Sequence, residues 1–336
     1  MLADNICIIA RFQKRTFVKR LLFIISVLSI GLGSEAFAQD PAFSQFYANP
    51  LYLNPALAGS AQCPRVILNY RNQWPGIPAT YVTYSASYDQ YVDGLHGGIG
   101  LQAYHDRAGT GIINTNHVSG MYAYQTAIDK NISIKAAFQA TYYQRSIDWS
   151  QLTFGDQIHR RYGFIYQTAE TPIQENVNKL DFSTGFLLFT QRLYAGVSVH
   201  HLTQPDESFF AGSESKLPRK FTGHAGALIP LNREREEEGS ISPNIIYQRQ
   251  GEFNHLNLGL YVNRGPITGG VWYRWGDALI FLVGLYTPQF RFGYSYDVTV
   301  SRLGTQTLGS HEISVTMMFP CKPKRRKFRQ MQCPKF

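Results

Sequence analysis

The chain has 336 residues, 44% of them apolar and only 16% charged, which suffices for a sizeable core and argues against a disordered polyelectrolyte. Its mean hydropathy of −0.21 is too polar for a bundle of membrane helices. The formal charge of +9 sits at the two ends: residues 1–38 hold five bases against two acids and residues 321–336 hold seven bases and no acid, so the nearly neutral body is not a polyanion binder and no nucleic-acid partner is expected.

From the amino terminus, a basic stretch ending at Lys19-Arg20 leads into the apolar run Leu21 to Leu32 and then Ala36-Phe37-Ala38. This pattern reads as a secretory signal (1–38) cleaved after Ala38. The run is shorter than the ~20 apolar residues that a spanning helix needs. Cys7 precedes that region, so the mature chain keeps Cys63, Cys321 and Cys333, enough for one disulfide and one free thiol with the pairing open. No Cys/His cluster has zinc spacing, and neither a metal nor a cofactor is expected.

Residues 39–64 show no strand pattern but carry Phe43, Phe46, Leu51, Leu53 and Leu57. Beyond them the sequence alternates with a period of two. In Arg291 to Val300, Phe292, Tyr294, Tyr296, Val298 and Val300 share one parity and Arg291, Gly293, Ser295, Asp297 and Thr299 the other. Such segments fall at 65–74, 80–89, 96–106, 114–128, 131–147, 181–190, 192–202, 220–230, 241–250, 254–263, 268–275, 279–287, 291–299 and 312–319. Most are about ten residues, the length that crosses a bilayer at a ~45° tilt. Aromatic pairs near segment ends (Tyr88 and Tyr91, Tyr142 and Tyr143, Trp272 to Trp275) suit interfacial girdles. The expected fold is therefore an all-β, transmembrane antiparallel barrel of about 14 strands over 65–319, with a basic tail at 320–336.

Barrels of this kind have short inner turns and longer outer loops. With the amino terminus inside, the two longest connections, 148–180 and 203–219, both face outward, and the charged run Arg233 to Glu238 reads as a solvated tip on the inner side. Both termini are then expected in the periplasm. Segment 279–287 is apolar on both faces, so its inner face needs a cover, which residues 39–64 could supply as a plug.

Catalytic patterns are sparse. Gly97-Gly98 and Gly269-Gly270 sit inside strands, where glycine allows bends or close approach rather than phosphate binding. Asn54-Pro55-Ala56 spells the aquaporin tripeptide without the half-helices that motif needs. His117-Val118-Ser119 resembles the His-x-Ser of outer-membrane phospholipases, whose imidazole serves as general base on the lipid-facing side, although the Asn that follows there is Gly120 here. Two polar lumenal neighbours are the simpler reading. The His200-His201 pair is expected to point to opposite faces. The inward candidates Lys135, Arg291 and Asp297 form no ring of one sign, so a simple ion-selective porin is not indicated.

The mature start, Asp40-Pro-Ala-Phe-Ser-Gln-Phe-Tyr-Ala-Asn-Pro-Leu-Tyr-Leu-Asn-Pro-Ala-Leu-Ala-Gly-Ser60, resembles the signature of the PorP/SprF family of the type IX secretion system in Bacteroidetes, with Asn49, Asn54, Pro55, Ala56 and Gly59 as motif positions. Further stretches similar to that family are Arg71-Asn72-Gln73-Trp74-Pro75, Leu152 to Gln157, Leu217 to Lys220, Ile241 to Asn244, Trp272 to Arg274, Gly293 to Asp297, His311 to Ser314 and Cys333 to Phe336. The resemblance implies an outer-membrane barrel similar to the long-chain fatty-acid transporters. It implies no enzyme, but a component of the secretion and gliding machinery that supports export or surface attachment of cargo such as adhesins with type B carboxy-terminal signals.

Besides outer-membrane lipid and cargo, the expected partners are a periplasmic OmpA-like protein and the peptidoglycan-associated ring, gripped through Lys322, Lys324, Arg325, Arg326, Lys327 and Arg329. A solvated tail or a clamp on anionic head groups accounts for the same charges. The alternative function is transport of hydrophobic small molecules.

Overall fold

The computed structural model describes residues 40–321 apart from 79, 170–175, 210–213, 233–238 and 302–306, so the signal and the basic tail lie outside the described residues, as does the charged tip 233–238. Among the described residues, fourteen long strands pair in chain order: β1 (Arg65–Gln73), β2 (Tyr81–Val92), β3 (Gly97–Ala108), β4 (Ile113–Asp129), β5 (Ile132–Ile147), β6 (Asn176–Phe189), β7 (Leu193–His200), β8 (Lys220–Ala227), β9 (Gly239–Gln250), β10 (Phe253–Arg264), β11 (Ile267–Arg274), β12 (Ala278–Tyr286), β13 (Phe290–Thr299) and β14 (Ser310–Met318). Every neighbouring pair is antiparallel, and β1 pairs with β14 from Arg65↔Met318 to Gln73↔Ser310, so the ring closes with no free edge. All fourteen expected strands are present, and no described helix is long and apolar enough to cross a membrane.

Period-two alternation sets the two faces. Along β4, His117, Ser119, Met121 and Ala123 are buried while Val118, Tyr122 and Tyr124 are exposed. Leu258, Leu260, Val262, Phe281, Val283, Leu285, Phe292 and Ile313 are exposed as well. A belt of large apolar side chains on the outside of a closed ring is stable only against hydrocarbon. The inner wall is the polar one, with buried Ser85, Ser87, Gln102, Thr141, Ser183 and Ser295 among its residues.

Across β2 to β6 the belt gives way to a polar row near one end of the strands. Tyr84, His105, Asn116, Gln144 and Asn178 lie directly opposite one another across β2 to β6 on the outer face. His105 Nδ1 is 2.7 Å from Asn116 Oδ1, and Tyr142 donates to Asn178 Oδ1 at 3.2 Å. Lateral pairing of this kind satisfies polar groups where the wall leaves the hydrocarbon.

Two aromatic expectations are corrected. Trp272 and Tyr143 face the lumen, because they fall on the inward parity of β11 and β5, while their neighbours Trp275 and Tyr142 are exposed. Those two, together with the exposed Tyr273, can serve in an outer girdle.

The connections divide by end. One end, the long-loop end, carries 148–175, 201–219 and 300–309; the other, the turn end, carries 93–96, 130–131, 190–192, 265–266 and 287–289. The loop 148–175 holds a small hairpin of Ile158–His159 with Gly163–Phe164. At the turn end the Phe319 amide donates to the Pro64 carbonyl at 2.9 Å, and Cys63 is disulfide-bonded to Cys321, which resolves the open pairing and leaves Cys333 outside the described residues.

Residues 40–64 run through the lumen as a strap of short helical turns, Phe46–Ala48, Pro50–Leu53 and Pro55–Leu57. Pro50 and Pro55 open the second and third turns, where a missing N–H costs nothing. With lipid outside and a polar wall inside, the apolar core forms around this strap: Phe46, Leu51, Leu53, Ala56 and Leu57 cluster with Met121, Leu187, Phe189, Ile246, Trp272 and Ile280. Phe46 and Trp272 meet with ring centroids 4.8 Å apart. The inward side of β12 thereby gains its cover, since Ile280 is fully buried and Leu282 packs on the same cluster.

Candidate functional site

The strap is held by four sets of polar contacts spaced from the turn end to the long-loop end. Lowest is the Gly59 rung. Gly59 has φ +65°, and its N–H donates to Asp89 Oδ2 at 2.7 Å; Asp89 also receives Arg65 Nε at 2.5 Å and Nη2 at 3.2 Å. Lys135 Nζ donates to the Ala58 carbonyl at 2.8 Å, satisfying the end of the last helical turn. A Cβ on Gly98 would lie 2.1 Å from the Ala58 oxygen, so the close approach of strap to wall requires glycine there.

Asn54 forms the second rung. Its Oδ1 accepts the Ala56 amide at 2.9 Å, capping the Pro55–Leu57 turn. Its Nδ2 donates to the carbonyls of Phe186 and Val197 at 3.1 and 3.2 Å and lies 3.1 Å from His224 Nε2. Gly185 leaves room for this, because a Cβ there would stand 2.1 Å from Asn54 Oδ1. Slightly higher, Gln102 Nε2 donates to Asn49 Oδ1 at 2.9 Å and Ser198 Oγ to the Leu53 carbonyl at 3.0 Å.

The third rung is a buried ionic hub around Ser44. Glu312 Oε2 accepts the Ser44 amide at 2.7 Å and Arg71 Nη1 at 3.1 Å, and Oε1 accepts the Gln45 amide at 3.2 Å. Asp297 Oδ2 accepts Ser44 Oγ–H at 2.5 Å and Arg71 Nη2 at 2.9 Å. Arg71 Nη1 and Arg274 Nη2 both donate to Ser44 Oγ, at 2.8 and 3.2 Å. Arg71 and Arg274 stand against the buried carboxylates of Asp297 and Glu312, and Arg274 also reaches the half-exposed Asp277 at 3.3 Å, so each buried charge has a partner of opposite sign away from water.

At the long-loop end, Asp40 Oδ2 lies 2.9 Å from His201 Nε2 and 3.3 Å from Lys220 Nζ, and the Asp40 amide donates to Gln250 Oε1 at 3.1 Å. His201 Nδ1 is 2.7 Å from Asp181 Oδ2. Burial alone would lower the His201 imidazole, but the Asp40 and Asp181 carboxylates outweigh it and raise its pKa from 6.5 to about 9. The two described chain ends therefore sit at opposite ends of the barrel, Asp40 among the long loops and Cys321 at the turns. This departs from the expectation of both ends on one side, because the strap fills the lumen from end to end.

The motif positions Asn49, Asn54, Pro55, Ala56 and Gly59 are thus brought together on the strap, with Asn54 and Gly59 as its anchors. The tail cations Lys322, Lys324, Arg325, Arg326, Lys327 and Arg329 lie outside the described residues. Arg71, Glu312 and Ser44 fall within the stretches similar to the family, but the sequence assigns them no role; a charge on the inward parity of β1 and of β14, facing no ring of like sign, is the signal that marks the first two.

Two motif expectations are settled by the faces. His117 and Ser119 point into the lumen: His117 stacks on Tyr104 at 4.2 Å, and Ser119 Oγ pairs with Thr141 Oγ1 at 2.9 Å. They cannot meet a lipid-facing substrate. His200 and His201, expected on opposite faces, are both buried inside with ring centroids 6.4 Å apart, because His201 takes a left-handed φ of 58° just past the end of β7 and the alternation stops there. Among the described residues no group of three His, Cys, Asp or Glu is arranged to hold a metal ion. Lys135, Arg291 and Asp297 lie on the inward side, mixed in sign as expected.

The description "Type IX secretion system membrane protein PorP/SprF" matches residues 35–317 of the chain. No curated protein matches the sequence. Solved structures similar in fold include a Pseudomonas aeruginosa FadL homologue (TM-score 0.45, 11% identity, 85% of this chain and 100% of that one) and the P. putida toluene transporter TodX (TM-score 0.45, 9% identity, 80% and 93%).

Proposed function

Because the chain belongs to the PorP/SprF family of type IX secretion system membrane proteins, we propose that it acts as a non-enzymatic organiser in the outer membrane, holding secreted cargo on its long loops and docking periplasmic machinery through its basic tail. The observation that carries this reading is the occupied lumen. A strap fixed at four levels, one of them a buried four-charge hub, leaves the barrel's two ends rather than a pore as its working surfaces. Cargo such as adhesins with type B carboxy-terminal signals would meet the connections 148–175 and 201–219, and gliding or adhesion would depend on that attachment.

An even strand count returns the carboxy terminus to the periplasm, where Lys322 to Lys335 would face acidic surfaces of an OmpA-like protein or the peptidoglycan-associated ring. Among the described residues Phe46, Leu51 and Leu53 fill the lumen, which supports the organiser over transport of hydrophobic small molecules through it. Deletion of the gene tests the choice: loss of surface-displayed or secreted proteins supports the organiser, whereas normal secretion with lost uptake of hydrophobic nutrients rejects it. Truncation after Cys321 keeps the disulfide and should weaken periplasmic co-purification in a salt-sensitive manner; undiminished recovery rejects tail docking.

A further inference from the structure

The order of contacts along the strap carries a consequence for topology. At the turn end the strap is fixed beside β1 and β14 by the Cys63–Cys321 disulfide and the Pro64 carbonyl. Moving toward lower residue numbers, the contacts pass from that end of the wall to the long-loop end. Gly59 and Ala58 meet Asp89 and Gly98, which flank the turn 93–96, and Lys135, which follows the turn 130–131. Asn54 meets Phe186, three positions from the turn end of β6, and Val197, midway along β7. Ser44 meets Arg71 and Glu312, each two positions from the long-loop end of its strand. Asp40 meets Lys220, the first residue of β8, Gln250, the last of β9, and His201, just past β7.

We infer that the mature amino terminus emerges at the long-loop mouth, on the opposite face of the membrane from the carboxy terminus, so that residues 40–64 cross the bilayer inside the barrel as an additional pass. With the expected cleavage after Ala38, only Gln39 stands ahead of Asp40. One extended residue reaches about 3.5 Å, far short of a return through an apolar band about 25 Å tall. Among the described residues the strap is covalently tied to the wall at the turn end alone. Its other end, Asp40 to Ala42, is partly exposed and forms part of the surface that a partner approaching the long loops would meet.

The test compares three reporters in cells carrying the full chain with Cys333→Ser. One is a short epitope inserted after Gln39, one Tyr162→Cys in the loop 148–175, and one Lys130→Cys in the turn 130–131. Antibody and a membrane-impermeant maleimide are applied to intact cells and to cells with a permeabilised outer membrane. The inference predicts that the epitope is reached under the same condition as Tyr162→Cys, opposite to Lys130→Cys. An epitope reached together with Lys130→Cys, or reached under neither condition while both cysteines report, overturns it. Should Lys130→Cys be the residue labelled on intact cells, the outward placement of the long loops under the proposed function fails, and the pairing of epitope with Tyr162→Cys still decides this inference.

Discussion

Replacing Arg71 by methionine tests whether the Ser44 hub holds the strap. Arg71 is only 2% exposed, and its Nη atoms supply the donors to Glu312 at 3.1 Å, Asp297 at 2.9 Å and Ser44 Oγ at 2.8 Å. Methionine fills much of the volume and leaves two carboxylates facing each other with Arg274, 3.9 Å from Asp297 Oδ2, as the nearest cation. Removing one partner of a buried ion pair costs about 3–5 kcal/mol, and at about 2–4 °C per kcal/mol the thermal midpoint should fall by roughly 10 °C. The assay is the temperature at which the folded, fast-migrating form converts to the unfolded one on a gel. Adding Asp297→Asn and Glu312→Gln removes the stranded charges, and this triple variant should recover most of the loss. A shift below about 2 °C for Arg71→Met, or a triple variant no more stable than the single one, refutes a neutralised hub as the main clamp.

Gly98→Val should drive the Ala58 carbonyl away from the wall, since even a Cβ would stand 2.1 Å from it; leak current in a planar bilayer should rise, and a current equal to wild type contradicts the close contact. Because the carboxylates raise the His201 pKa from 6.5 to about 9, its stabilisation is complete below about pH 6.5 and is lost as pH climbs through about 9. The thermal midpoint should decline over that window and His201→Gln should flatten the decline; equal slopes in both proteins count against the Asp40 anchor. Cys63→Ser should lower stability by about 2–4 kcal/mol, and a non-reducing digest should yield linked Cys63 and Cys321 peptides. An unchanged midpoint, or linkage through Cys333, rejects that pairing.

Strand positions were legible because an outer face in hydrocarbon and an inner face among polar groups enforce a strict alternation that survives loops of any length. The need for a plug was legible in β12, whose Ile280 and Leu282 had no reason to be apolar unless something apolar faced them. The pairings inside the lumen were not. Parity places Arg71, Asp297 and Glu312 inward, yet their meeting with Ser44 depends on the path of a strap without periodicity, across sequence separations of 27 to 268 residues. His201 escaped for a local reason, the left-handed backbone that ends the alternation at His200. Trp272 and Tyr143 look like girdle residues in the sequence because an aromatic near a strand end looks the same from either face until its parity is compared with the strap beneath it.

Conductance of the purified barrel in a planar bilayer, with and without residues 41–60, bears most directly on a lumen closed by the chain's own strap. The intact protein should stay closed at moderate voltage, while the deletion, which keeps Cys63 and the fourteen strands, should open a steady ion-conducting path. A large open current in the intact protein, or no difference between the two, would contradict it.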